Sequence, residues 1–556
     1  MKLVSLLLAI LLISLASCTT TARPSHQLEI DTGNLSDIVK TLAADAYEGR
    51  APGTPGGRKT VQYLIDAFQR LGLEPGGENG TWTQTVPLIR TQIEAPASLA
   101  FQIGSSTQEL RQSIDINASS ARPVRSLALD APVVFVGFGA HAPERQWDDF
   151  GAIDLTDKVA LFLVNDPDFA AQHDEPVAGR FGDRRMTYYG RWAYKFEEAA
   201  RRGAAAALVI HETEAAGYGW NVAASSPGEQ YAVVRDAAAL PPVALQGWLH
   251  GDAAQRLLAK AGYSLDQLRI AARDPGFEAF ELADVRLLTD LSLQLDRIDS
   301  SNVLARLPGT SRADETIMVA AHWDAYGVGE PDAQGRTVRP GANDDALGTA
   351  GVLELARVLS AGPALTRSVV FAAWTAEESG LLGSEAYANN PVYPLEKTVA
   401  NLTLDILQTA GPARDVILVG EGQSELEDDL ARFASLQGRT ITPESLPENG
   451  LFFRADHFSL AKRGVPVLLL MGIAGGADLI DGGRSAGEQW IADYVGRCYH
   501  QTCDAWSEDW DLRGAAQDIA LFRDIIIDLG QSSRWPQWRP GSEFEGIRAQ
   551  SAAARQ

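Results

Sequence analysis

Cysteine is scarce in this chain. Its 556 residues hold three, at Cys18, Cys498 and Cys503, and a zinc site built from Cys498 and Cys503 alone is excluded, because two thiols do not complete a tetrahedral set. Positive charge is also short. Lys and Arg number 48 against 72 Asp and Glu, leaving a net charge of −24, which argues against a nucleic-acid partner and against docking on anionic lipid through a basic face. The same balance makes a cationic substrate group, such as a free α-amino terminus, electrostatically welcome; it also serves to keep an extracytoplasmic protein soluble. Beyond the N-terminus no stretch is long and apolar enough for a transmembrane helix. There is no internal repeat. At 45% hydrophobic and 22% charged residues the composition is that of a soluble globular protein, and the length exceeds one ordinary core, so two or more domains are expected.

The single long apolar run is Leu3 to Leu15, preceded by Lys2. It has the length of a signal-peptide core and is short for a bilayer span. Leu15-Ala16-Ser17-Cys18 resembles the lipobox of bacterial lipoproteins, which implies a signal peptide over 1–17, lipidation of Cys18 and a polar tether over 18–30. The competing reading is an ordinary cleaved signal with an incidental cysteine. With the lipobox, the membrane is met only through the lipid anchor at Cys18. Thr19 in place of an aspartate then directs the protein to the periplasmic side of the outer membrane in a Gram-negative cell. Disulfides persist in such a compartment, so Cys498 and Cys503, which flank His500, are expected to be bonded.

Residues 31–97 begin with a helical stretch from Leu35, the turn-rich Tyr47-Glu48-Gly49-Arg50-Ala51-Pro52-Gly53, and a helix over Thr60 to Leu71 closed by Gly72. From 98 to 295 the texture changes to short β-like runs, among them Ala131 to Val136, Val159 to Val164 and Ala204 to Ile210, with a helix near 193–202. This order, with Gly137-Phe138-Gly139 after a strand, resembles a protease-associated domain inserted in the chain. An unrelated β-rich insert is the alternative.

Strand–helix alternation occupies 296–535. Strands are expected at Thr316 to Ala321, Ser368 to Trp374, Thr398 to Leu407, Asp415 to Val419 and Val465 to Met471, with helices near 346–360, 380–389, 424–437 and 512–529. The pattern predicts an α/β three-layer sandwich with a mostly parallel central sheet, whose sites gather at the carboxyl ends of strands. Residues 536–556 form a C-terminal tail with little periodicity.

The chemistry-bearing residues fall at those strand ends. His322-Trp323-Asp324 follows a strand, and residues two apart project to one side, so Asp324 can reach and orient the His322 imidazole. Gly341 to Gly348 is a tight turn carrying Asp344 and Asp345 into a helix. Glu377 and Glu378 sit side by side after another strand, so one can meet a metal and the other a proton. Asp405 interrupts an apolar strand, where a lone carboxylate is costly unless it meets a cation. Tyr499-His500 comes late in the chain. Each taken alone has a bland explanation: a structural histidine, an acidic N-cap, a solvated acidic pair.

Together and in this order they resemble the co-catalytic zinc aminopeptidases of peptidase family 28, which also includes glutamate carboxypeptidase and the transferrin receptor. The resemblance covers roughly residues 35–95 and 296–530 and extends to Arg454-Ala455-Asp456-His457-Phe458, Gly464-Val465-Pro466 and Tyr499-His500-Gln501-Thr502 with Asp504. It implies two Zn²⁺ ions per chain, one held by His322 and Asp405, the other by Glu378 and His500, with Asp344 bridging. It implies Glu377 as general base, Asp324 as support for His322, Tyr499 as oxyanion partner, and a cis peptide between Asp344 and Asp345. Leu347 and Gln408 depart from the usual text of relatives and bear on pocket shape. Arg454 and His457 are candidate substrate-binding residues, with a scaffold ion pair and a structural imidazole as their alternatives. His26, His141, His173, His211 and His250 lack a partner pattern.

The expected function is that of an exported di-zinc exopeptidase releasing N-terminal residues from peptides with a free N-terminus. A carboxypeptidase of the glutamate carboxypeptidase type is the nearest alternative and would need a cationic pocket for the terminal carboxylate. A non-catalytic binding or receptor protein on the same fold is the other. Residue preference and oligomeric state are not set by the sequence.

Overall fold

The computed structural model describes residues 29–555, except 96 and 236–238; the leader, Cys18 and the lipobox lie outside the described residues. Five strands build the sheet that carries the site: β1 (Phe280–Leu307), β2 (Arg312–His322), β3 (Arg367–Trp374), β4 (Thr398–Leu404) and β5 (Val467–Leu470). They lie in the order β5-β4-β2-β3-β1. β2 runs parallel to β3 and β4, and β4 parallel to β5, while β1 pairs antiparallel with β3. Alternation along β2 shows why both faces must be covered. Ile317, Val319 and Ala321 enter one core, whereas Met318 and Ala320 enter another.

Helices supply both layers. On the first face pack Thr32–Leu42, Pro55–Arg70, Leu347–Ala361 and Arg513–Gln531, contributing Leu35, Phe68, Leu355 and Phe522. Helix Pro55–Arg70 starts where Thr54 accepts from the Gly57 amide at 3.1 Å and a proline takes the first position. Helix Arg513–Gln531 buries Ile519, Phe522, Ile526 and Leu529, a one-sided helical spacing. Helices Leu382–Asn389 and His457–Ala461 cover the other face with Tyr387, Phe458 and Leu460. The result is an α/β three-layer sandwich.

A second sheet grows out of the same strand. The early part of β1 pairs with Ser98–Ile103 and Ser126–Phe135, and its later part with Thr83–Ile93 and β3. The 28 residues of β1 therefore run unbroken through the expected boundary at 295/296, where no linker exists. In the second sheet Ser126–Phe135, Val159–Leu163, Ala206–His211 and Leu245–His250 are mutually parallel neighbours. Helices Trp192–Arg201 and Gly251–Lys260 accompany them, so the segment expected to be β-rich has an α/β centre.

Three further differences have local causes. Asp415–Leu418 is a strand but pairs only with Thr440–Pro443, in a separate parallel pair. Helix Gly483–Arg497 escaped the pattern because it buries little, with Gly487 its one buried residue. The tail is docked: Trp538 donates its indole N–H to the Gly464 carbonyl at 2.9 Å, and buried Arg548 donates to the Thr398 carbonyl at 3.0 Å. Among the described residues no helix is long and apolar enough to cross a membrane.

Candidate metal centre

The carboxyl ends of β2, β3 and β4 converge on one point. His322 is the last residue of β2, with 1% of its surface exposed. Its Nε2 lies 3.1 Å from Asp344 Oδ1 and 3.9 Å from Asp405 Oδ1. The other oxygen of Asp344, Oδ2, lies 3.2 Å from His500 Nε2, which is itself 3.4 Å from Glu378 Oε2. Asp344 thus faces one histidine with each oxygen. Among the described residues two groups have donor atoms close enough to share an ion, His322-Asp344-Asp405 and Asp344-Glu378-His500.

Uncommon backbone conformations surround most of these ligands. Asp344 follows Gly341, whose φ of +56° and close approach to the Asp344 carbonyl exclude a side chain, and the Asp344–Asp345 peptide is cis. Ala376, Ile406 and His500, which adjoin or supply site residues, hold φ of +54°, +52° and +62°. Non-glycine residues in this region cost on the order of 1–3 kcal/mol each and persist only where their surroundings hold them. Asp405 consequently lies just past β4, which ends at Leu404, instead of interrupting the strand. The left-handed turn at Ile406 ends the strand and aims the carboxylate at His322.

Supporting carboxylates hold these turns. Asp324 sits within 3.6 Å of the His322 Nδ1 and accepts from the Glu377 and Glu378 amides at 3.1 and 3.4 Å. It orients the histidine and clamps the loop that bears both glutamates. Asp345 accepts from the amides of His322, Gly348 and Ile406 at 3.2, 2.9 and 3.4 Å, tying three ligand-bearing segments together. Asp504 accepts from the Asn343 and Asp344 amides at 2.9 and 3.1 Å and from the Tyr494 hydroxyl at 3.1 Å. Arg50, fully buried, donates to the carbonyls of Trp323 and Gly341, each at 2.8 Å. Asp345, Tyr494 and Arg50 carried no assigned role in the sequence reading; an arginine inside a glycine-rich turn was the only signal for the last.

The His500 side is more open. His500 is 29% exposed by its side chain. The Tyr326 hydroxyl lies 3.0 Å from its Nδ1, and the two rings pack at a tilt of 43° with centroids 4.4 Å apart. With Nδ1 engaged by Tyr326, Nε2 is turned to Asp344 and Glu378. Tyr326 was missed because no spacing rule links residues 174 positions apart. Cys498 and Cys503 are joined by a disulfide that encloses Tyr499 and His500. The Tyr499 ring lies 3.6 Å from that of His500. Burial first, then the Asp344 and Glu378 carboxylates, push its phenol well above the ordinary range, so it stays a donor.

These side chains carry more negative charge than they can balance among themselves. Burial, reinforced by neighbouring carboxylates, raises Asp405 to about 8 and holds Glu377 and Glu378 well above their usual range. For His322 burial pulls downward, but Glu377, Asp324 and Asp344 outweigh it and the imidazole is raised. Glu378 Oε1 is buried with no hydrogen-bond partner. Mixed imidazole and carboxylate donors, an orphaned carboxylate oxygen and a shared aspartate fit a pair of divalent cations.

His457 and Arg454 lie outside the ligand groups. His457 is fully buried, neither ring nitrogen has a side-chain or backbone hydrogen-bond partner of good geometry, and its ring packs edge-on against Phe452 at 5.0 Å. Burial drops it to about 3. It is a neutral core imidazole. Arg454 is in no ion pair among the described residues; its guanidinium lies over the Tyr218 ring at 5.5 Å.

Comparison with known proteins agrees with this geometry. Residues 302–522 match the model for "Peptidase family M28". The chain is 29% identical over 255 residues to leupeptin-inactivating enzyme 1 of Streptomyces exfoliatus, covering 44% of this chain and 51% of that one. It is 28% identical over 191 residues to a probable lipoprotein aminopeptidase of Mycobacterium tuberculosis, covering 32% and 35%. The matches thus span about a third to a half of these relatives. A solved aminopeptidase from Aneurinibacillus sp. strain AM-1 superimposes with a TM-score of 0.47 at 20% identity, covering 93% of this chain and 97% of that one. Residues 302–522, which hold β2–β5 and the converging histidines and carboxylates, are thus the part of the chain that resembles peptidase family M28.

Proposed function

We propose that the protein is an exported zinc aminopeptidase with two metal ions per chain. The observation that carries this reading is Asp344, whose two oxygens lie 3.1 and 3.2 Å from different histidines, each with a further carboxylate beside it. His322 and Asp405 would hold one zinc, Glu378 and His500 the other, and Asp344 both. When bound, the pair supplies Lewis acidity to the scissile carbonyl and lowers the pKa of the attacking water.

The chain's own residues do the rest. Glu377 stands 3.8 Å from His322 Nε2 without belonging to either ligand group, so it is free to take a proton from water and deliver it to the leaving amine. Tyr499 donates its O–H to the carbonyl oxygen as charge develops there. Asp324 keeps both glutamates in register through their amides, and Asp504 does the same for Asp344. The surplus of carboxylates favours an ammonium at the substrate end. Relatives named as aminopeptidases support the direction of cleavage, and the lipobox at Cys18 supports export and a lipid anchor on the periplasmic side of the outer membrane. A binding protein without catalysis would have no need for Glu377 beside a complete ligand set.

The test is release of N-terminal residues from matched free and N-blocked peptides, with and without chelator, alongside zinc analysis. Release from free peptides only, lost on chelation and restored by zinc, is expected. Cleavage indifferent to N-blocking would overturn the aminopeptidase reading.

A further inference from the structure

The junction between the two sheets holds positive charge with no counter-charge. Arg191 precedes helix Trp192–Arg201 of the second sheet and is 7% exposed. Its Nε is buried without a hydrogen-bond partner. Arg454, from the M28-like domain, follows the turn Leu451–Phe453, and its Nε and Nη2 are likewise buried and unpartnered. Neither guanidinium forms an ion pair among the described residues. The turns that bear them pack together: the Tyr188 ring, whose residue carbonyl accepts from the Arg191 amide at 3.1 Å, lies 6.3 Å from the ring of Phe453, and burial first, and then Arg454, push Arg191 down to about 9. The nearby ring of Tyr218 lies 5.5 Å from the Arg454 guanidinium.

Other buried arginines in this molecule have acceptors: Arg50 meets backbone carbonyls, Arg367 meets Glu315 and two carbonyls, and Arg548 meets the Leu395 and Thr398 carbonyls, although Arg367 Nη2 and Arg548 Nε are also left without a partner. Burying a guanidinium with open donors is costly, and setting a second beside it adds like-charge repulsion. One anion relieves both costs. The planar fork of an arginine matches a carboxylate, and two forks can hold one carboxylate from two sides.

We propose that Arg191 and Arg454 form a carboxylate-binding site at the junction of the two sheets, filled by the C-terminal carboxylate of short peptide substrates. This rests on the peptidase reading above. The link to the metal centre is the loop itself. Two residues after Arg454 comes Asp456, buried and within electrostatic reach of His322 and Glu377. One segment therefore bears on the reacting end and on the arginine pair. Because Arg191 and Tyr218 come from the inserted part and Arg454 from the M28-like domain, the site exists only when the two are packed together. It selects for substrate length as well as for charge.

The test uses the zinc-loaded full-length protein and two tripeptides, Leu-Gly-Gly and its C-terminal amide. Removing one partner of a buried charge pair is strongly unfavourable, so kcat/KM for the acid should exceed that for the amide by at least about thirtyfold, chiefly through KM. Arg191→Gln should bring that ratio towards unity, and Arg191→Lys should restore part of it. In parallel, thermal melting of the wild-type protein is read in sodium acetate and in sodium chloride at equal ionic strength. Equal cleavage of acid and amide with no acetate effect would overturn the site. Equal cleavage with stabilisation by acetate would overturn the substrate assignment and give the site to a free carboxylate. Failure to cleave either peptide, with zinc bound, would instead overturn the peptidase reading and the substrate assignment with it. The acetate arm would then still decide whether the arginines hold a carboxylate.

Discussion

The two halves of the candidate metal centre are built by different means. His322 ends a central parallel strand, is 1% exposed and is tied through Asp324, Asp345 and Thr349 to its neighbours. His500 sits in a surface turn at positive φ, 29% exposed, held by a disulfide loop and by Tyr326. A ligand at a strand end inherits its position from the sheet. A ligand in a loop needs dedicated devices, and here they are a covalent cross-link and one hydroxyl. The difference teaches that the half of the site carried by the sheet is preorganised by the core, whereas the other half is preorganised locally and is the easier one to disturb.

The comparison can be broken or sharpened by mutation. Glu377 belongs to neither half, so Glu377→Gln should cut turnover by about 10²–10⁴-fold while leaving zinc content unchanged; loss of zinc in that variant would make Glu377 a ligand and redraw both halves. Next come the two supports. Groups that orient metal-bound imidazoles are worth about 10–100-fold in metal affinity. Asp324→Asn, which disturbs His322 and the glutamate loop together, belongs at the top of that range, and Tyr326→Phe, which touches only His500, near the bottom. Stepwise zinc titration should show one weakened site in the tyrosine variant; two equally weakened sites would contradict the division.

The cross-link is smaller in effect. Closing so short a loop contributes on the order of 2 kcal/mol of chain entropy, so Cys498→Ser should loosen the His500 half and leave zinc at the His322 half. Zinc stoichiometry at limiting metal reads this directly, and loss of both ions together would count against it.

His457 provides the control, a histidine as buried as His322 but without its carboxylates. Its imidazole is held down to about 3 against an ordinary value of 6.5. The unfolded chain binds a proton below about 6.5 and the folded chain does not until about 3. Stability is therefore lost as pH falls through that window, by up to about 1.4 kcal/mol per pH unit. His457→Leu should flatten this acid limb in denaturant titrations at a series of pH values. An unchanged slope would place the proton uptake elsewhere.

Much of the M28-like domain was legible because its signals are local. Hydrophobic runs such as Ser368 to Trp374 end in polar residues where strands end, and both faces of the sheet are buried, so run length alone located them. Asp405 was legible as a residue but not in its placement, since a left-handed turn at Ile406 leaves no mark in hydropathy. Helix Gly483–Arg497 was invisible for want of a buried face. The strand β1 hid the junction between the two sheets, because a continuous strand shows no linker. Tyr326 and Asp345 were illegible because their roles consist of contacts between distant segments, and a tyrosine or a second aspartate carries the same local signal wherever it points.

What the sequence by itself determined is the supply of donors and their order at strand ends: two imidazoles, three carboxylates and a neighbouring glutamate. Their types and local settings are properties of short segments, set by hydropathy and turn chemistry. Only the tertiary structure decided that Asp344 divides its oxygens between His322 and His500, that Asp324 serves the glutamates as well as the histidine, and that the turns bearing Arg191 and Arg454 pack together across the junction. Those are distances between segments that the chain brings together only when its cores pack, and packing depends on all the faces at once.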